Sequence, residues 1–100
     1  MTRLKACRVI GKTYGISFVQ GKPLDDGDLG ELDPAKQRIS VRKGQPLEQE
    51  QDTVLHEIFH AVDTEGNLGL SERQVRGLGT IFLGVLKDNP SLIRYLTRKK

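Results

Sequence analysis

Cysteine is nearly absent from this chain. Cys7 is the only one, so no internal disulfide can form, and a lone thiol fits a reducing cytosol. A cytoplasmic location is therefore expected, with Cys7 itself read as a small strand residue and not a ligand. No run of about 18 apolar residues is present, which argues against a membrane span and a membrane partner. The basic start Met1-Thr2-Arg3-Leu4-Lys5-Ala6 has no apolar segment behind it and does not read as a secretory signal. The chain also lacks any stripe of interleaved basic and aromatic residues. Its net charge of +3 is scattered apart from Arg98-Lys99-Lys100, which reads as a solvated tail, so nucleic acid is not the expected partner.

What is present suits one small domain over residues 1–100, with 36% hydrophobic and 29% charged residues around a single modest core. Cys7-Arg8-Val9-Ile10 and Ile16-Ser17-Phe18-Val19 read as a strand pair joined by a turn from Gly11 to Gly15. Residues 21 to 28 are dense in turn formers. Their aspartates lack the spacing and closing glutamate of a calcium loop, so they read as a solvated loop. Leu29-Gly30-Glu31-Leu32 and Arg38-Ile39-Ser40-Val41-Arg42 then flank Asp33-Pro34-Ala35-Lys36, which predicts a hairpin. The second of these strands alternates Ile39 and Val41 with Arg38, Ser40 and Arg42. It is a candidate sheet edge, on which Arg38, Ile39, Ser40 and Val41 would hold an extended peptide by main-chain bonds; an ordinary edge strand defended by charge explains the pattern equally well.

Pro46 can start a helix, and Glu48, Glu50 and Asp52 put negative charge at its positive end. Gly66-Asn67 and Gly69 predict its end near Asp63 or Thr64. Ser71 with Gln74 predicts a capping box for a second helix bearing Val75, Leu78, Phe82, Val85 and Leu86. Asp88-Asn89-Pro90 stops it, and Ser91 would cap a short last helix.

The first helix carries the chemistry. It reads Thr53-Val54-Leu55-His56-Glu57-Ile58-Phe59-His60-Ala61-Val62-Asp63 and contains His-Glu-x-x-His, using the only two histidines in the chain. Residues four apart on a helix share a face, so both imidazoles can reach one ion. Zinc accepts that arrangement with one more protein ligand and an open position for water, and Glu57 beside the pair can take a proton from that water. At 100° steps Val54, Leu55, Ile58, Phe59 and Val62 cover one broad sector that should face the core. His56 and His60 lie nearly opposite, with Asp52, Thr53 and Asp63 around them. Histidines buried for packing would sit among the aliphatics.

Two histidines alone hold zinc weakly, and no third exists, so the missing ligand should be a carboxylate. Glu72, twelve residues beyond His60 at the start of the second helix, is the first choice. Its position is also that of an acid complementing the helix dipole. Asp63, at i+3 from His60, and Glu65 are the alternatives, with Asp63 also suited to an outer bond to a histidine N–H.

The stretch from Arg38 to Leu96 resembles the short zincin-like metallopeptidases of bacteriophages and prophages, which look like stripped-down relatives of the ImmA/IrrE-type zincins. The matching residues are the strand Arg38 to Val41, the His-Glu-x-x-His helix, Leu70 to Leu78, and Leu86 to Pro90. The larger relatives are alanine-rich around the third ligand, where this chain reads Ser71-Glu72-Arg73-Gln74-Val75-Arg76-Gly77. The resemblance implies an α+β fold: a minimal zincin-like domain, with a small antiparallel sheet packed on the His-Glu-x-x-His helix and one or two further helices after it. It implies Zn²⁺ as cofactor, His56, His60 and Glu72 as ligands, and Glu57 as the base of a hydrolase acting on a peptide or protein. Larger zincins add a His, Tyr or Arg donor for the oxyanion, for which Tyr14 and Tyr95 are available here. The competing reading is a non-catalytic metal-binding module or regulator, also of phage type, since a chain this small leaves little to build a substrate cleft.

Overall fold

The computed structural model describes residues 4–20 and 28–99; most of the loop expected at 21 to 28 lies outside the described residues. Four strands, β1 (Ala6–Val9), β2 (Lys12–Val19), β3 (Gly30–Asp33) and β4 (Arg38–Arg42), precede three helices, α1 (Leu47–Gly66), α2 (Glu72–Asp88) and α3 (Pro90–Leu96). The class is α+β. The strands form one sheet in the order β1-β2-β4-β3, and α1 lies across one of its faces.

The sheet is mixed, not antiparallel. β1–β2 and β3–β4 are antiparallel hairpins as expected, but β2 and β4 run parallel, pairing Ile16 with Ile39 and Phe18 with Val41. Alternation of side chains marks a strand without marking its direction, because the pleat has the same period in both pairings. The first hairpin is also tighter than the glycines suggested. Ile10 and Gly11 make a two-residue turn with φ of +47° and +80°, and Val9 pairs with Lys12. Two positive φ values in succession match the twist of a hairpin, but an exposed isoleucine is an unusual occupant and gave no signal.

Period-two alternation puts Val9, Tyr14, Ile16, Ile39 and Val41 on the face that meets α1, where Ala61 is fully buried and Val54, Ile58 and Val62 pack beside it. Cys7 packs against this core as a strand residue. β4 is central and paired on both sides, with Ile39 and Val41 fully buried. Its backbone is therefore committed to the sheet, and Arg38, Ile39, Ser40 and Val41 do not form a free edge for a peptide. The two edges are β1 and β3, and β3 is the one that lies beside Glu57.

The helix ends follow local chemistry. α1 has Glu48 and Glu50 in its first turn and ends two to three residues later than expected, with Asn67 left-handed at φ 51°. At α2, Ser71 and Gln74 form the reciprocal capping box, with the Gln74 N–H donating to Ser71 Oγ at 3.1 Å and the Ser71 N–H to Gln74 Oε1 at 2.9 Å. α3 starts earlier than Ser91 suggested: Asn89 is its N-cap and Pro90 its first residue. No helix among the described residues is long and apolar enough to cross a membrane.

Candidate metal centre

The side of α1 pressed on the sheet is the line Thr53, Glu57, Ala61. Phe59 turns away from it and meets Phe82 of α2 edge-on, with ring centroids 5.8 Å apart, so the expected apolar sector divides between sheet and second helix. His56 and His60 fall between these two directions, in the groove that α2 closes. Gly79 of α2 is packed against this stretch: a Cβ there would sit in ordinary contact, 3.6 Å from the His56 Cα.

The two imidazoles converge. Their Nε2 atoms are 3.1 Å apart, and the rings meet edge-on with centroids at 4.7 Å. Glu72, in the first turn of α2, faces both. Its Oε1 lies 2.9 Å from His56 Nε2 and its Oε2 2.8 Å from His60 Nε2. All three ligand atoms lie within 4.8 Å of one another. Ligands about 2.0–2.1 Å from a tetrahedral zinc stand roughly 3.3 Å apart, so this cluster needs to open by only a few tenths of an ångström to receive one. The donor set of two imidazoles and a carboxylate is also the one zinc takes in hydrolytic sites, and burial, the largest influence on His56, holds its pKa down toward the neutral form a ligand requires.

Of the other acids considered as ligands, neither joins the cluster. Asp63 Oδ1 accepts the Leu70 N–H at 2.8 Å, which ties the end of α1 to the connection leading into α2. Glu65 faces the sheet, where it accepts a short hydrogen bond from the Tyr14 hydroxyl and pairs with Lys12 at 3.1 Å. Tyr14 is fully buried in that contact, its pKa pushed up to about 12 chiefly by burial, and does not line the site. Tyr95 is 67% exposed on α3 beneath the Arg98 guanidinium and is equally remote.

Glu57 lies beside the pair on the sheet side of α1. It is 6% exposed, sits against β3, and has no hydrogen-bond partner among the described residues. Its carboxyl pKa is raised to about 7, first by burial, then by the negative charges of Glu72, Glu31 and Asp28, with Arg76 opposing. Glu57, His56, His60 and Glu72 line a cavity of about 360 Å³, which Asp28, Leu29 and Gly30 wall on the β3 side and Arg76 on the α2 side.

Three features of this site had no recognisable sequence signal. Arg76, one turn after Glu72, donates from Nη2 at 3.2 Å to Glu72 Oε1, the same oxygen that faces His56. Gln45 ties the end of β4 to α1: its Nε2 donates to the Arg42 carbonyl at 2.8 Å, while its Oε1 accepts from the Thr53 hydroxyl at 2.9 Å. Gly30 leaves the space Glu57 occupies. Only the i, i+4 relation of Glu72 and Arg76 was available in advance, and on a helix surface that pattern is ordinary.

Comparison with family models, curated proteins and solved structures gives no match to this chain.

Proposed function

We propose that this chain is a zinc-dependent peptidase in which His56, His60 and Glu72 hold the ion and Glu57 is the proton acceptor. The observation that carries this reading is the position of Glu57. A carboxyl buried to this degree is ordinarily paired, because an unpartnered one costs several kcal/mol, on the order of 1–3 even by mutational estimates. This one faces a cavity beside a three-donor cluster and titrates near neutrality, which suits a group that takes and returns a proton.

When bound, the ion would supply Lewis-acid activation of water and of the scissile carbonyl. The protein's own residues have separate tasks. His56 is held toward its neutral form, the form that coordinates a metal ion. Arg76 fixes the orientation of Glu72 from outside the cluster. Glu57 takes the proton of the attacking water and delivers it to the leaving amine. β3, as the outer strand walling the cavity, supplies main-chain groups to an extended peptide or protein substrate, the task first expected of β4. A phage-type hydrolase working in the cytoplasm remains part of this reading.

Glu57→Gln tests it. The variant should hold zinc as the wild type does and fail to cleave a peptide mixture that the wild type cleaves; equal cleavage by both proteins would refute the reading. A second reading, a non-catalytic metal-binding module, is favoured by the exposed apolar residues Leu78, Ile81, Phe82 and Val85 along α2, a surface suited to a partner. It requires that the same variant keep full biological activity.

A further inference from the structure

The cavity beside the three-donor cluster carries more negative charge than the cluster uses. Glu72 is engaged by both histidines and by Arg76, the single Lys or Arg among the described lining residues. Besides Glu57, two lining carboxylates remain. Asp52 lies on α1 one turn before His56, and Asp28 lies in the stretch leading into β3, so they reach the cavity from different walls. Thr80 of α2 steadies Asp52 by donating to its Oδ1 at 2.8 Å, which leaves the other oxygen free to accept. The Asp28 carboxylate has no partner among the described residues; only its main-chain carbonyl is engaged, by Arg42 Nε at 2.6 Å.

The apolar contribution to the same lining is small. Leu29 is its one large apolar side chain. A bulky apolar group placed there would strip water from two carboxylates and give them nothing in return. A cationic group would pair with either of them. Glu57, 6% exposed and with no hydrogen-bond partner among the described residues, faces the same cavity and adds an acceptor to it.

We infer that the cavity selects peptides carrying a cationic group beside the bond presented to the His56, His60 and Glu72 cluster, with Asp28 and Asp52 as the residues that recognise it. The inference rests on the peptidase reading and adds the substrate class. The shared chemistry is an ammonium or guanidinium, which a lysine or arginine side chain or a free peptide amino terminus can supply.

The test is calorimetric binding of simple hydroxamates to the zinc-loaded full chain. The probes are the hydroxamates of acetyl-lysine, acetyl-leucine, acetyl-glutamate and unacetylated leucine. At low ionic strength the lysine compound should bind at least about tenfold tighter than acetyl-leucine, and the glutamate compound weakest. The lysine advantage should shrink in 1 M salt, where screening acts over roughly 3 Å. Tighter binding of unacetylated than acetylated leucine would assign the recognised cation to the amino terminus; an advantage confined to lysine would assign it to the side chain. Asp28→Asn with Asp52→Asn should bring the lysine-to-leucine ratio toward one, with zinc content showing that the cluster survives. Asp28→Asn alone should move the ratio the same way. Equal binding of lysine and leucine compounds, a preference for glutamate, or no binding by a zinc-loaded chain overturns the inference. Peptide turnover without charge preference would sink it while leaving the peptidase reading intact. Charge-selective binding without turnover would do the reverse, and a chain that takes up no zinc would sink both.

Discussion

Gly30 and Glu57 are packed so closely that a methyl group between them has no room. A Cβ on Gly30 would stand 3.2 Å from both Cγ and Oε2 of Glu57 and 2.7 Å from Cγ2 of Thr53. The glycine is required by space, since its φ is not positive. Gly30→Ala should therefore force β3 and α1 apart and cost about 1–3 kcal/mol in urea unfolding. It should also weaken any activity that depends on Glu57. A fully stable Gly30→Ala protein would mean that β3 does not press on Glu57 in solution.

Glu57 should make the metal-free protein less stable as pH rises. Its pKa is raised in the folded chain from an ordinary 4.5 to about 7, so the folded state holds the proton more tightly than the unfolded one. The stability linked to that proton is complete below about pH 4.5 and is lost as pH climbs through 7. Over that window wild type should lose on the order of 2–3 kcal/mol relative to Glu57→Gln, which has no proton to release. Denaturant unfolding of both proteins at pH 5 and pH 8 measures this. Parallel pH profiles would contradict the buried, unpartnered carboxyl.

Asp63 positions Glu72 without touching the cluster, by holding the Leu70 N–H at 2.8 Å. Asp63→Ala should loosen the connection between α1 and α2 and weaken zinc binding by roughly tenfold, the lower end of what outer residues of metal sites contribute. Glu72→Ala should weaken it far more. Competition with a chromogenic chelator separates the two, and equal losses would mean that Asp63 is itself a ligand.

The Tyr14–Glu65 contact belongs to the fold and not to the site. Tyr14→Phe removes the donor to Glu65 and should lower the denaturant midpoint of unfolding. Zinc affinity should stay as in wild type. A change in affinity would place Glu65 closer to the ion than its pairing with Lys12 indicates.

The parts of this molecule that local chemistry determines could be read before the structure. The capping box at Ser71 and Gln74 depends on residues three apart, and the convergence of His56 and His60 depends on one helical turn. Glu72 could be chosen because a short glycine-bearing connection brings α2 back along α1. What escaped depends on distant pairing. The parallel register of β2 with β4 puts β4 inside the sheet and makes β3 the outer strand, and no pattern within either strand encodes that. The burial of Glu57 escaped for a related reason. A helical wheel places the core side at the centre of the aliphatic residues, whereas α1 meets the sheet along Thr53, Glu57 and Ala61, where small residues and one carboxyl permit close approach.

The account turns on whether the cluster of His56, His60 and Glu72 binds a divalent cation. Elemental analysis of the full chain after saturation with zinc and removal of excess, alongside His56→Ala, addresses that directly. One equivalent of zinc in the wild type and close to none in the variant is the expected result. A wild type that retains no zinc, or a variant that retains as much, would contradict it.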